Sequence, residues 1–210
     1  MLPKALSLFC ELHCNYSFID LCDTRDLPTI GDLNTKFPIG RFWRFSVLGD
    51  PTVFAFGSRD VDSFLTAREE AAVGAWLVSG KQFHVMRDGP FHRSTILAGL
   101  WGAVNYANMS RAVTVKTSLM GVQPNLYKFF DQRVLNSRVW PAIRDLAAIY
   151  DSYNCGMVWK FGHCRPWPTK REGYQYVGFG PTKQYAVKAL RRKRCPSKCR
   201  PEAHKDWQYC

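Results

Sequence analysis

The stretch Thr52-Val53-Phe54-Ala55-Phe56-Gly57-Ser58-Arg59-Asp60-Val61-Asp62-Ser63 decides how the rest of the chain is read. Its first five residues are rich in β-branched and aromatic side chains, the mark of a short buried strand, and Gly57 closes it. A charged loop with two aspartates follows at once. Thr66 and Glu69 then form a capping-box pattern at the mouth of a helix. Ala71, Ala72, Ala75, Trp76 and Val78 give that helix an apolar face, and Gly80 supplies its stop. Gln82-Phe83-His84-Val85-Met86 reads as a second strand, ending in Arg87-Asp88-Gly89-Pro90. Strand, acidic loop, helix and strand within about 35 residues have the size of a βαβ unit.

Working outward, Ala98-Gly99-Leu100-Trp101-Gly102 is a glycine-bearing segment, and a helix is expected from about Leu126 through Leu135. Leu146-Ala147-Ala148-Ile149-Tyr150 is a third strand candidate, again followed by an acid, Asp151. Residues 161–181 are rich in proline and glycine. The pattern predicts an α/β fold with a mostly parallel sheet and flanking helices. Three parts follow: an irregular segment 1–50, the α/β domain 51–187, and a basic, cysteine-bearing tail 188–210. Hydrophobic residues at 46% and charged residues at 22% of 210 suit a globular chain and exclude a mainly disordered, collagen-like or coiled-coil one. No run reaches the ~18 apolar residues of a membrane span. Ala5 to Cys10 is too short for a signal-peptide core, so no secretion signal is expected.

Net charge is +12, and the residues from Lys188 onward contribute eight basic and two acidic side chains, half of the excess. Such a run fits an anionic partner (nucleic acid, acidic glycan, phospholipid or nucleotide diphosphate) or a solvated tail. Eight cysteines is an even number, as a disulfide set requires. The sequons Asn15-Tyr16-Ser17 and Asn108-Met109-Ser110 would suit an oxidising lumen. Disulfides are favoured over zinc held by Cys195, Cys199, His204 and Cys210, because the paired two-residue spacers of zinc sites are absent.

Open α/β sheets bind ligands beyond the carboxyl ends of their strands, where Asp60 and Asp62 stand. Two carboxylates so close call for a cation between them or a raised pKa, and hard divalent ions take such oxygen ligands. Asp131-Gln132 places a carboxylate beside an amide, a pair able to hold sugar hydroxyls or to serve as a helix cap. Asp88 offers a base or a sugar anchor, or an ion pair with Arg87. His84 lies within a strand and reads as packed, while nothing fixes a role for His92.

Taken together, Phe42-Trp43-Arg44-Phe45, Asp50-Pro51-Thr52-Val53 and Ser58 to Ser63 resemble a group of GT-A-type glycosyltransferase-like proteins of bacteria and invertebrates. Matches continue in order through Trp76-Leu77, Phe83 to Asp88, Ile96 to Gly102, Asp131-Gln132, Val139-Trp140-Pro141, Asp151-Ser152-Tyr153 and Pro166-Trp167-Pro168-Thr169 with Arg171. The terminal Cys195-Pro196, Cys199-Arg200-Pro201, His204, Asp206-Trp207 and Cys210 resemble the cysteine module of the invertebrate members. The resemblance implies a nucleotide-sugar-dependent transferase. It would carry manganese or magnesium at Asp60 and Asp62, Arg59 on the donor diphosphate, and Asp131, Gln132 and Asp88 about the sugar. Two positions depart from the family: Gly89 and Tyr150 stand where it tends to carry histidine. His204 is then the candidate late third metal ligand. Only 59 residues precede Asp60, so most of the nucleoside-binding half of such a fold is expected to be missing.

The function expected on this reading is transfer of a sugar from a nucleotide donor to a glycan, lipid or protein acceptor, in the secretory pathway, the Golgi lumen or outside the cell. The alternative is a truncated or non-catalytic lumenal module that binds glycans or proteins. A nucleic-acid binder acting through 188–200 ranks last, since no such motif is present.

Overall fold

The computed structural model describes residues 3–180 and 185–210. Three helices lie in the segment expected to be irregular: α1 (Pro3–Asn15), α2 (Leu33–Lys36) and α3 (Gly40–Trp43). Asp32 caps α2, accepting from Thr35 N–H at 3.1 Å. From Leu33 on, this segment belongs to the main core, where Phe37, Ile39, Phe42, Phe45 and Leu48 are all buried. Phe42 meets Phe45 edge-on, and Phe45 packs on Trp101 with ring centroids 5.7 Å apart.

Five strands form one sheet in the order β1-β3-β2-β4-β5. They are β1 (Ala55–Arg59), β2 (Phe83–Arg87), β3 (Leu100–Val104), β4 (Ala147–Asp151) and β5 (Cys164–Arg165). β2 pairs with β4 and β4 with β5 in parallel, whereas β3 is antiparallel to both β1 and β2. The α/β class is therefore as expected, but the sheet is mixed rather than mostly parallel. The cause lies in the connections. A crossover helix α4 (Ala67–Leu77) links β1 to β2, as read from the sequence. The chain from β2 to β3 contains no helix, and such a direct return yields an antiparallel neighbour. β3 thus inserts between the two strands of the expected unit, which still run in the same direction.

Thr66 caps α4 as its sequence predicts, accepting from Glu69 N–H at 3.2 Å. The Glu69 carboxylate does not turn back to complete the box; it pairs with Arg59 at 2.9 Å. Alternation along the strands separates two apolar layers. Phe83, Val85, Trp101, Ala103 and Ile149 face the larger one, with α5 (Met109–Met120) and the helices after it. Met86, Leu100, Ala148 and Tyr150 face α4, Trp167 and Val177 on the other side. Asn108 of the second sequon caps α5 by accepting from Arg111 N–H at 2.9 Å. The helix expected over 126–135 begins at Phe130 as α6 (Phe130–Val134) and runs through a π-turn, Leu135–Val139, into α7 (Trp140–Ile143). Pro141 lies in the first turn of α7, and a proline without an N–H suits this change of hydrogen-bond pattern. The last two α-helices are α8 (Val158–Phe161) and α9 (Tyr185–Arg192), followed by single 3-10 turns at Ser197–Cys199 and Glu202–His204. Among the described residues no helix is long and apolar enough to cross a membrane.

Disulfides Cys155–Cys199 and Cys195–Cys210 fasten the C-terminal segment, the first to the loop after β4. They bear out the disulfide expectation for four of the eight cysteines, while Cys10, Cys14, Cys22 and Cys164 carry free thiols. No thiolate is left at Cys195, Cys199 or Cys210, so the zinc alternative fails. Disulfides of this kind fit an oxidising compartment.

His84 is the packed histidine that its strand position predicts, stacked on Trp76 with centroids 4.1 Å apart. Neither ring nitrogen finds a hydrogen-bond partner, and burial lowers its pKa from 6.5 to about 3. The unfolded chain therefore binds the proton first as pH falls. This contribution is whole above pH 6.5 and is lost from there down to about 3. The expected slope is about 1.4 kcal/mol per pH unit. Urea unfolding at pH 7 and pH 5 checks it: wild type loses about 2 kcal/mol more than His84→Phe over that interval.

Candidate functional site

Beyond the carboxyl end of β1 lies a cleft of about 320 Å³ lined by Arg44, Arg59, Asp60, His92, Asp131 and Gln132, among others. The two acidic candidates of the sequence, Asp60 and Asp131, meet there at one guanidinium. Arg44, directly after α3, donates to Asp60 at 2.7 Å and to Asp131 at 3.2 Å. No role was assigned to Arg44 from the sequence, and no local pattern could reveal one, since Asp131 is 87 positions away.

Asp60 owes its position to a missing side chain. A Cβ at Gly99 would sit 2.6 Å from the Asp60 carboxyl carbon, so alanine there must displace the carboxylate. Asp131 enters from the first turn of α6 and is mostly buried. Gln132 beside it is committed to backbone: its Oε1 accepts from Ala98 N–H at 3.2 Å and its Nε2 donates to the Ile96 carbonyl. It therefore holds the 96–98 wall of the cleft and has its carbonyl and amino ends engaged. Arg59 lines the cleft, but its guanidinium forms an ion pair with the Glu69 carboxylate at 2.9 Å and its Nη2 donates to the Phe64 carbonyl at 3.0 Å. Burial raises the Glu69 carboxyl pKa, against the opposing pull of Arg59.

The remaining candidates lie elsewhere. Asp62 is exposed and does not line the cleft; its carbonyl packs against Gly180. Asp88, expected near the sugar, is fully buried. Its carboxylate accepts from Arg68, Arg171, Ser152 and the Val177 N–H, and its expected pair with Arg87 is replaced by one between Arg87 and Asp151. His204 is exposed in the C-terminal segment and stacks on Trp207 with centroids 4.3 Å apart. It does not line the cleft. His92, left without a role above, does line it. Its Nδ1 accepts from the N–H groups of Asp88 and Gly89 at 3.1 and 3.0 Å, which puts the ring proton on Nε2. At Gly89 a Cβ would lie 2.5 Å from the Phe91 ring, so a histidine there would require Phe91 to move. Tyr150 packs on Trp167 within the core, away from the cleft.

Asp60 and Asp131 are hard oxygen donors of the kind magnesium and manganese take. The fit is partial, because Asp62 and His204 are not beside them. Among the described residues, the one set of three ligand atoms within 4.8 Å is Asp151, Cys155 and Cys199, and its two sulfurs are joined in a disulfide. Arg44, Arg59 and Lys128 give the cleft three cations against two carboxylates. No protein-family model, curated protein or solved structure matches the chain.

Proposed function

We propose that the chain is a glycosyltransferase-like protein whose cleft binds a nucleoside-diphosphate sugar with a divalent metal, manganese or magnesium, and passes the sugar to a glycan, lipid or protein acceptor. The observation that supports this reading is the meeting of Asp60 and Asp131 with Arg44, Arg59 and Lys128 in one cavity. A diphosphate carries concentrated negative charge, and guanidinium forks and an ammonium suit it. Asp60 and Asp131 are the residues that would hold the metal, which supplies neutralising charge to the departing diphosphate. The second oxygen of Asp131 would face sugar hydroxyls, while Gln132 holds the 96–98 wall. On this reading the compartment is a lumen of the secretory pathway, the Golgi included, or the exterior.

One observation favours a second reading. Arg44 already bridges both carboxylates. A guanidinium in that position satisfies them without a metal, as a non-catalytic binding module of the same fold would require. Titration calorimetry with a panel of nucleoside-diphosphate sugars, with and without manganese, separates the two. The transferase reading expects manganese-dependent binding that falls about 30-fold or more in Asp60→Ala. Equal binding by wild type and Asp60→Ala would overturn it, and metal-free glycan binding without turnover would favour the module.

A further inference from the structure

Away from this cleft, the C-terminal segment builds a second concave surface. A cleft of about 370 Å³ is lined by Arg171, Gly173, Tyr174, Leu190, Arg191 and Tyr209. Tyr174 and Tyr209 are each 44% exposed, so both rings are open to a ligand. Arg191 lies over Tyr174 with its guanidinium carbon 4.6 Å from the ring centroid. Arg171 closes the inner side at 6% exposure, and its buried Nε makes no hydrogen bond. Lys188 lies three and four positions before Arg191 and Arg192 on α9, and the three line an adjoining hollow. Among the described residues no ion pair uses Lys188, Arg191, Arg192, Lys193, Arg194 or Lys198.

The basic run begins on α9 and continues into a segment fastened by two disulfides, with Lys188, Arg191, Arg192, Lys193 and Arg194 exposed on it. Cys195–Cys210 holds the chain end beside α9, and Cys155–Cys199 anchors the segment to the loop after β4. The backbone that carries these charges is held in place before a partner arrives, which lowers the entropy cost of binding.

We infer that this cleft, formed by Tyr174, Tyr209 and the Arg191 face of α9, binds an acidic oligosaccharide, with sulfate or carboxylate groups on the basic residues and sugar rings against the tyrosines. Arginine forks match sulfate and carboxylate oxygens. Aromatic faces present the apolar surface that the C–H face of a pyranose covers. The concave, ring-lined form suits a sugar chain better than a flat bilayer surface. The two disulfides fit compartments in which acidic polysaccharides, more than nucleic acids, are the available polyanions. This inference is independent of nucleotide-sugar binding at Asp60.

The test uses the full chain and a heparin-derived hexasaccharide at about 0.15 M salt. Single-stranded DNA of similar charge and phosphatidylserine vesicles serve as competing probes. The hexasaccharide is expected to bind, and the triple variant Lys188→Ser, Arg191→Ser, Arg192→Ser to lose at least about tenfold in affinity. Tyr174→Ala and Tyr209→Ala each cost about five- to tenfold at unchanged net charge, while Tyr174→Phe binds as wild type. Near-UV circular dichroism verifies that the variants are folded. No binding, tyrosine-to-alanine variants that bind like wild type, or DNA or vesicles that bind as tightly would each overturn the proposal.

Discussion

Asp88→Ala is expected to destabilise the fold by about 3–5 kcal/mol, measured as a lower urea midpoint at unchanged slope. Asp88 is fully buried at the end of β2 and lies between two guanidinium groups. Arg68 reaches it through Nε and Nη2 at 3.1 Å each, and Arg171 through Nη2 at 2.6 Å. Removing the carboxylate leaves two buried positive charges facing one another, so the loss exceeds that of an ordinary hydrogen bond. Asp88→Asn keeps the shape and loses the charge, and it is expected to fall in the same range. A loss below about 1 kcal/mol in both variants would mean that the network contributes little. Burial alone would raise the Asp88 pKa, but Arg171 and Arg68 outweigh it and hold the value below 3.8. Its stabilisation is therefore whole above pH 3.8 and is lost as pH falls through the lower folded value. That window lies mostly below the one set by His84, so the two groups can be told apart by titration.

Loss of the disulfides is the second large effect. Cys155–Cys199 closes a loop of 44 positions and Cys195–Cys210 one of 15. Loop-closure entropy assigns them about 4 and about 3 kcal/mol respectively. Paired alanine substitutions at each bridge, followed by thermal unfolding, are expected to place the 155–199 variant lower. The same variant frees the end of the Cys195–Cys210 unit from the loop after β4, so protease cleavage after Lys193 or Arg194 should rise with it. Equal melting temperatures for wild type and both variants would show that the segment does not depend on its bridges.

The parts of the fold that were legible in the sequence are those set by local chemistry. Thr66 marks the α4 start, and continuous apolar runs mark β2 and β4, which are buried at every position. Asp60 follows β1, although that strand begins at Ala55 and runs through Gly57 instead of ending there. β3 was missed as a strand because Gly102 interrupts it and because its neighbours are far away in sequence. Antiparallel insertion between β1 and β2 is decided by the helix-free return from Asp88 to Gly99, a tertiary property. The helices α2 and α3 are four residues each, too short for a periodic signal. In the site, charge and residue type pointed to Asp60 and Asp131, but only folding shows that Arg44 joins them. The same sequence logic placed Asp88 and Asp62 at the ligand, and it could not foresee that Arg68 and Arg171 would enclose one or that the Gly180 strand of chain would lie against the other.

The central claim, a metal and a nucleotide sugar held together by Asp60 and Asp131, is tested most directly by the free Mn²⁺ signal in electron paramagnetic resonance. Protein and a nucleoside-diphosphate sugar together are expected to remove more of that signal than either does alone, and Asp60→Ala to abolish the excess. A signal explained by the nucleotide sugar alone, unchanged on adding wild-type protein, would contradict it.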